Sequence, residues 1–133
     1  MKHAIVVEDD LHNATLFRKL LEKRLGFRVI HTEDPGQLFE ALAAGGIDLV
    51  VMDVSLKRSE WKGRAVSGVD LCRMIKSNPS TVSVPVLLAT AHAMRGDEER
   101  LLSESGADRY LSKPIVDHEQ FVALVRALVR EAA

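Results

Sequence analysis

Ile47-Asp48-Leu49-Val50-Val51-Met52-Asp53-Val54 is the stretch that decides the fold. Every side chain between Asp48 and Asp53 is apolar, and none alternates with a polar one. A short unbroken run of this kind reads as a strand buried on both faces, the situation of strands in a parallel sheet covered by helices. The flanks agree. Upstream, Gly45-Gly46 closes a helix that starts at Asp34-Pro35, with Asp34 the predicted N-cap, Pro35 at the first helical position and Gln37 at a box-like spacing. Downstream, a loop from Ser55 to about Ser67 leads into a helix over Val69–Lys76, ended by Asn78-Pro79.

The same alternation continues outward. Ala4–Val7 and Phe27–His31 read as strands on either side of a helix over Leu11–Leu25, which carries Leu16, Leu20, Leu21 and Leu25 in helical register and ends at Gly26. Val84–Ala89 reads as a fourth strand, with Pro85 tolerated only near its start. A helix over Asp97–Ser105, a strand over Arg109–Ser112 and a helix over Asp117–Glu131 follow, the last with Phe121, Leu124, Val125 and Leu128 on one stripe. Five strand–helix units with right-handed crossovers predict an α/β, doubly wound (flavodoxin-like) five-stranded parallel sheet of order 2-1-3-4-5 with five helices.

Composition narrows the function. The chain of 133 residues is one domain in length, and the expectation is a single unit over 1–133 with no output domain attached. A formal charge of −1 argues against nucleic acid as the main partner, since phosphate-backbone binding needs a basic excess. One cysteine, Cys72, leaves no internal disulfide framework. The longest nearly apolar run, Val82–Ala91, is too short to cross a bilayer, and the N-terminus lacks the pattern of a secretory signal. A cytoplasmic protein that does not engage a membrane is expected.

The chemistry gathers at the strand ends. In this topology ligands bind beyond the carboxyl ends of the strands where their order reverses, here between strands one and three. Strand one runs into Glu8-Asp9-Asp10 and strand three into Asp53. Carboxylates so close raise one another's pKa unless a cation sits among them, and an all-oxygen ligand set suits Mg²⁺. Strand four adds the hydroxyl of Thr90 and strand five the ammonium of Lys113. The set meets the needs of phosphoryl transfer to a carboxylate, with Asp53 as nucleophile, Mg²⁺ and Lys113 neutralising the equatorial oxygens, and Thr90 donating a hydrogen bond. Asp10 reads as the N-cap of the first helix rather than as a third ligand.

Val6-Val7-Glu8-Asp9-Asp10, Val51-Met52-Asp53, Leu88-Ala89-Thr90-Ala91 and Tyr110-Leu111-Ser112-Lys113-Pro114, in this order and spacing, resemble the signature segments of two-component response regulator receiver domains. The resemblance covers essentially the whole chain. It implies that Glu8 and Asp9 are the acid pair that holds Mg²⁺, that Asp53 is the phospho-acceptor, and that Ser55 lends a backbone carbonyl to the metal. It implies contact of Thr90 and Lys113 with the phosphoryl group, a Lys113–Pro114 bond that is commonly cis, and a switch role for Tyr110. It also implies a phosphorelay: a sensor histidine kinase donates the phosphoryl group, Thr90 and Tyr110 move, and the surface of helix four, strand five and helix five meets a downstream protein. A homodimer is one of the partners the sequence leaves open.

Two features depart from the family pattern. The family usually has Leu-Pro shortly after the acceptor, whereas here Leu56 precedes Lys57 and the glycine leading into helix three is Gly68. The lengthened, basic loop holds the lone tryptophan, Trp61, which reads as pinning a solvated insertion to the domain, with a lid or partner contact as the sharper alternative. His92, two residues after Thr90, lies near the position that tunes phosphoaspartate hydrolysis in the family, or is a solvent-facing loop residue. The alternative to a phospho-accepting module is a receiver-like module that works by protein contact alone. A phosphatase with an aspartate nucleophile usually carries a second acid two positions on, and Ser55 stands there instead. A flavin site would need a Ser/Thr/Gly-rich phosphate loop after strand one, where this chain has acids.

Overall fold

The computed structural model describes residues 1–56, 59–91 and 97–132. Five strands form one parallel sheet: β1 (His3–Val7), β2 (Arg28–Thr32), β3 (Leu49–Asp53), β4 (Val86–Thr90) and β5 (Arg109–Ser112). They lie side by side as β2-β1-β3-β4-β5. The helices are α1 (Leu11–Lys19), α2 (Pro35–Ala44), α3 (Gly68–Ser77), α4 (Asp97–Ser105) and α5 (His118–Ala132). Among the described residues no helix is long and apolar enough to cross a membrane.

Period-two alternation sends successive strand residues to opposite faces of the sheet. Ala4, Val6, Leu49, Val51, Leu87, Ala89 and Leu111 pack with Phe17, Leu21, Phe121, Val125 and Leu128 of the α1–α5 layer. Ile5, Val7, Val50, Met52, Val86 and Leu88 pack with Leu38, Leu42, Leu71, Cys72, Ile75 and Leu101 of the α2–α3–α4 layer. The middle three strands are therefore buried on both sides, which is why their sequences show no polar alternation.

Local signals were read correctly at most boundaries. Asp34 and Ser67 cap α2 and α3, accepting hydrogen bonds from Gly36 and Asp70 respectively. Two details differ from the sequence reading. Gln37 forms no box with Asp34; its side-chain oxygen accepts the Thr32 hydroxyl instead. The end of the first helix widens into a π-turn over Leu20–Arg24 before Gly26 adopts φ +71°. The expected loop after β3 also carries structure, a small antiparallel hairpin of Glu60–Trp61 and Arg64–Ala65 around Lys62-Gly63.

Candidate functional site

β1 and β3 are hydrogen-bonded neighbours, and β2 lies on the far side of β1, so the order reverses between them. Glu8 follows the last residue of β1 and Asp53 ends β3, and both side chains emerge at this reversal. Glu8 is fully buried and Asp53 is 3% exposed. Lys113 reaches them from the loop after β5, held there by its backbone N–H, which donates to Thr90 O at 2.8 Å. Its ammonium donates to Glu8 Oε1 at 2.8 Å and to Asp53 Oδ1 at 3.0 Å. The Lys113–Pro114 peptide bond is cis. Backbone donors complete the two carboxylates: Asp10 N–H to Glu8 Oε2 and Ser55 N–H to Asp53 Oδ1, each at 3.2 Å.

Asp9 joins this pair. Glu8, Asp9 and Asp53 each offer a carboxylate oxygen, and these lie within 4.8 Å of one another. Three carboxylates this close repel one another, the Lys113 ammonium offsets that for Glu8 and Asp53, and a divalent cation placed among all three would relieve the rest. The donors are hard oxygens, the half-buried Asp9 leaves a route to solvent, and nothing soft is present, so the residues fit Mg²⁺. Asp10 does not belong to the group; its side chain accepts from Asn13 N–H at 3.1 Å and caps α1.

Burial pushes Glu8 up to about 7, and the adjacent Asp53 adds to the rise, while the Lys113 ammonium works against it. For Lys113, burial lowers the value but the bonds to Glu8 and Asp53 outweigh it, so the ammonium is held above its ordinary range. The raised Glu8 value means the fold favours its neutral form. That contribution to stability is full below the ordinary value of 4.5 and is lost as pH rises toward about 7. Cation binding runs the other way, because the ligand must be ionised. Mg²⁺ affinity is expected to climb about tenfold per pH unit below about pH 7 and to level off above it. Calorimetric titration across that range checks this, and a pH-independent affinity would refute it.

Thr90 is 1% exposed and ends β4, one residue beyond the position level with Asp53. Tyr110 is half-buried on β5 opposite Leu88, and alternation puts it on the same sheet face as Thr90. The Tyr110 hydroxyl is enclosed and has no hydrogen-bond partner among the described residues. Beside it a groove of about 690 Å³ runs between α4, β5 and α5. Trp61 packs at a tilt of 44° against Phe39 of α2, ring centroids 4.9 Å apart, which fastens the hairpin to the α2–α3 side of the domain. His92 lies outside the described residues.

Gly68 was singled out in sequence as the glycine entering helix three, and the structure gives the reason. A Cβ there would sit 1.8 Å from the backbone oxygen of Asp53, so α3 approaches β3 more closely than any side chain allows. Its N–H donates to Val54 O at 3.0 Å, completing the contact. Sequence reasoning gave no role to His31. Its Nε2 lies 2.7 Å from the backbone oxygen of Glu8.

A doubly wound sheet whose order reverses at a carboxylate trio, with an ammonium between two of them, defines an α/β domain with an acidic cluster at the topological switch point, where such folds bind their ligands. The sequence matches the response regulator receiver domain family over residues 4–126, and the chain belongs to that family. It is 31% identical over 131 residues to the polar-differentiation response regulator DivK of Brucella anthropi, covering 98% of each chain. The DivK of Brucella ovis is matched equally well. Among solved structures, the receiver domain of a sensor histidine kinase from Pseudomonas aeruginosa, with a magnesium ion in its active-site cleft, is 26% identical with a TM-score of 0.79, covering 97% of this chain and 98% of that one. The receiver domain of a Francisella response regulator, 17% identical with a TM-score of 0.80 and full coverage of both chains, shows the same fold.

Proposed function

We propose that this receiver domain accepts a phosphoryl group on Asp53 from the phosphohistidine of a sensor histidine kinase, or from a small phosphodonor. The observation that carries the reading is the shared grip of Lys113 on Glu8 and Asp53 inside a buried acid trio. An oxygen of Asp53 attacks phosphorus and an O–P bond forms; from phosphohistidine the P–N bond breaks with its electron pair left on the imidazole nitrogen, and from an acyl phosphate the bridging P–O bond breaks with its pair left on the departing carboxylate. Glu8, Asp9, Asp53 and the backbone carbonyl of Ser55 would hold Mg²⁺, which neutralises charge on the transferring oxygens. Lys113 keeps its ammonium beside Asp53 and follows the charge onto the new phosphoryl oxygens. Thr90 donates its hydroxyl to the same group.

The change then spreads along β4 and β5. Movement of Thr90 alters the space beside Tyr110, whose hydroxyl has no hydrogen-bond partner among the described residues. The adjoining groove between α4, β5 and α5 is the surface a downstream protein reads.

Fluorine NMR with beryllofluoride, a phosphoryl mimic, tests the site. A bound-fluoride resonance that requires Mg²⁺ is expected. Absence of that resonance at saturating Mg²⁺ would contradict the reading and favour a module that works by contact alone.

A further inference from the structure

We infer that His31 is a positioning residue for the acid pair, acting through the backbone of Glu8; the inference rests on the reading of Glu8, Asp9 and Asp53 as a magnesium site. In a parallel ladder the N–H and C=O of one residue face the same neighbouring strand. Glu8 N–H donates to Thr32 O of β2 at 3.2 Å, so the Glu8 carbonyl also faces β2. The next donor on that side would be the N–H of Asp34. It is diverted to the hydroxyl of Thr32, at 3.0 Å, as the chain turns into α2. The ladder therefore runs out at the residue whose side chain the site needs.

His31 fills the gap. Its ring Nε2 lies 2.7 Å from Glu8 O, and because a carbonyl only accepts, that nitrogen carries the hydrogen. The contact falls at a fully buried residue, where an orphaned carbonyl would be unfavourable. It also fixes more than one bond. The Glu8–Asp9 peptide is planar, so anchoring its oxygen sets the plane and with it the position of the Asp9 Cα. Glu8 and Asp9 are consecutive ligands, and their carboxylates must converge with Asp53 to hold one ion. A side chain that orients a ligand in this way without touching the metal typically affects affinity by about 10- to 100-fold. Half-buried His31 also leaves water able to reach the carbonyl when the ring is removed, so overall stability is expected to change little while the aim of Asp9 relaxes.

Calorimetric titration with Mg²⁺ alone, on the full chain and the variants H31A and H31Q, tests this. Glutamine places an amide nitrogen near the reach of Nε2, so it restores the donor. H31A is expected to bind Mg²⁺ about tenfold or more weakly. H31Q is expected to bind close to the wild-type value, and the thermal midpoints without Mg²⁺ should stay similar. Should H31A not fold, H31N serves, because its amide falls short of the carbonyl, and it is expected to bind weakly. Wild-type affinity in H31A, or an H31Q as weak as H31A, would overturn the inference. A wild-type chain that binds no Mg²⁺ would overturn the magnesium reading itself, and the inference with it.

Discussion

Gly68→Ala is expected to destabilise the domain by about 3 kcal/mol or more and to disable the site at the same time. The added methyl would meet Asp53 O at 1.8 Å and its carbonyl carbon at 2.7 Å. Both obstacles are backbone atoms of a fully buried strand, so no side chain can swing aside. Either α3 lifts away, uncovering Leu71, Cys72 and Ile75, or β3 shifts and carries Asp53 out of reach of Lys113. Urea denaturation reads the first consequence and Mg²⁺ titration the second. A variant with wild-type midpoint and affinity would show that α3 does not lie against the acceptor strand as described.

Lys113→Met should produce an effect of similar size with a different signature. Its side chain is 7% exposed and carries the cation shared by Glu8 and Asp53, whose side chains are 1% and 3% exposed. Removing one partner of a buried ionic group leaves the others uncompensated and typically costs about 3–5 kcal/mol. Here the loss depends on pH. Without the ammonium, the value of Glu8 rises further above about 7, so the folded variant takes up a proton more readily than the unfolded chain. Stability is therefore expected to recover as pH falls and to decline as it rises. Mg²⁺ should restore part of the loss above about pH 7 by standing in for the missing charge. Denaturation midpoints at several pH values, with and without Mg²⁺, check this, and a pH-independent loss would mean that Lys113 contributes packing rather than charge.

Much of this was legible in the sequence because buried parallel strands declare themselves by uninterrupted apolar runs. Ile47–Val54 and Val84–Ala89 could be read as central strands, and the residues near their ends as the site, without knowledge of any contact. Strand order placed the Glu8-Asp9-Asp10 run and Asp53 at one crevice, while the choice of Glu8 and Asp9 as the acid pair came from the resemblance. What stayed hidden depends on where backbone hydrogen bonding is interrupted. The Glu60–Ala65 hairpin has strands of two residues each, too short for alternation to register, and its turn places Lys62 at φ 52°, where no residue type signals the conformation. The π-turn over Leu20–Arg24 keeps the leucine spacing of an ordinary helix closely enough to be read as one. Gln37 sits at a capping-box spacing, but its side-chain oxygen accepts the Thr32 hydroxyl, and the Asp34 N–H it would have bonded donates to that same hydroxyl. His31 gained its role only because the β1–β2 ladder ends one residue early, a fact of the turn rather than of the histidine.

The same physical picture links the parts. A close-packed glycine fixes β3, a lysine shared by two acids keeps the charge of Asp53 tolerable, and a divalent cation would complete the balance. Each element is separable by a single substitution, and each has a different pH or cation signature.

The most direct measurement is the intact mass of the chain after incubation with acetyl phosphate and Mg²⁺, followed by fragmentation to locate the added group. The account predicts a gain of one phosphoryl group on Asp53, dependent on Mg²⁺ and absent in Asp53→Asn, which should stay folded. An unmodified wild-type chain, or undiminished labelling of the Asn variant, would contradict it.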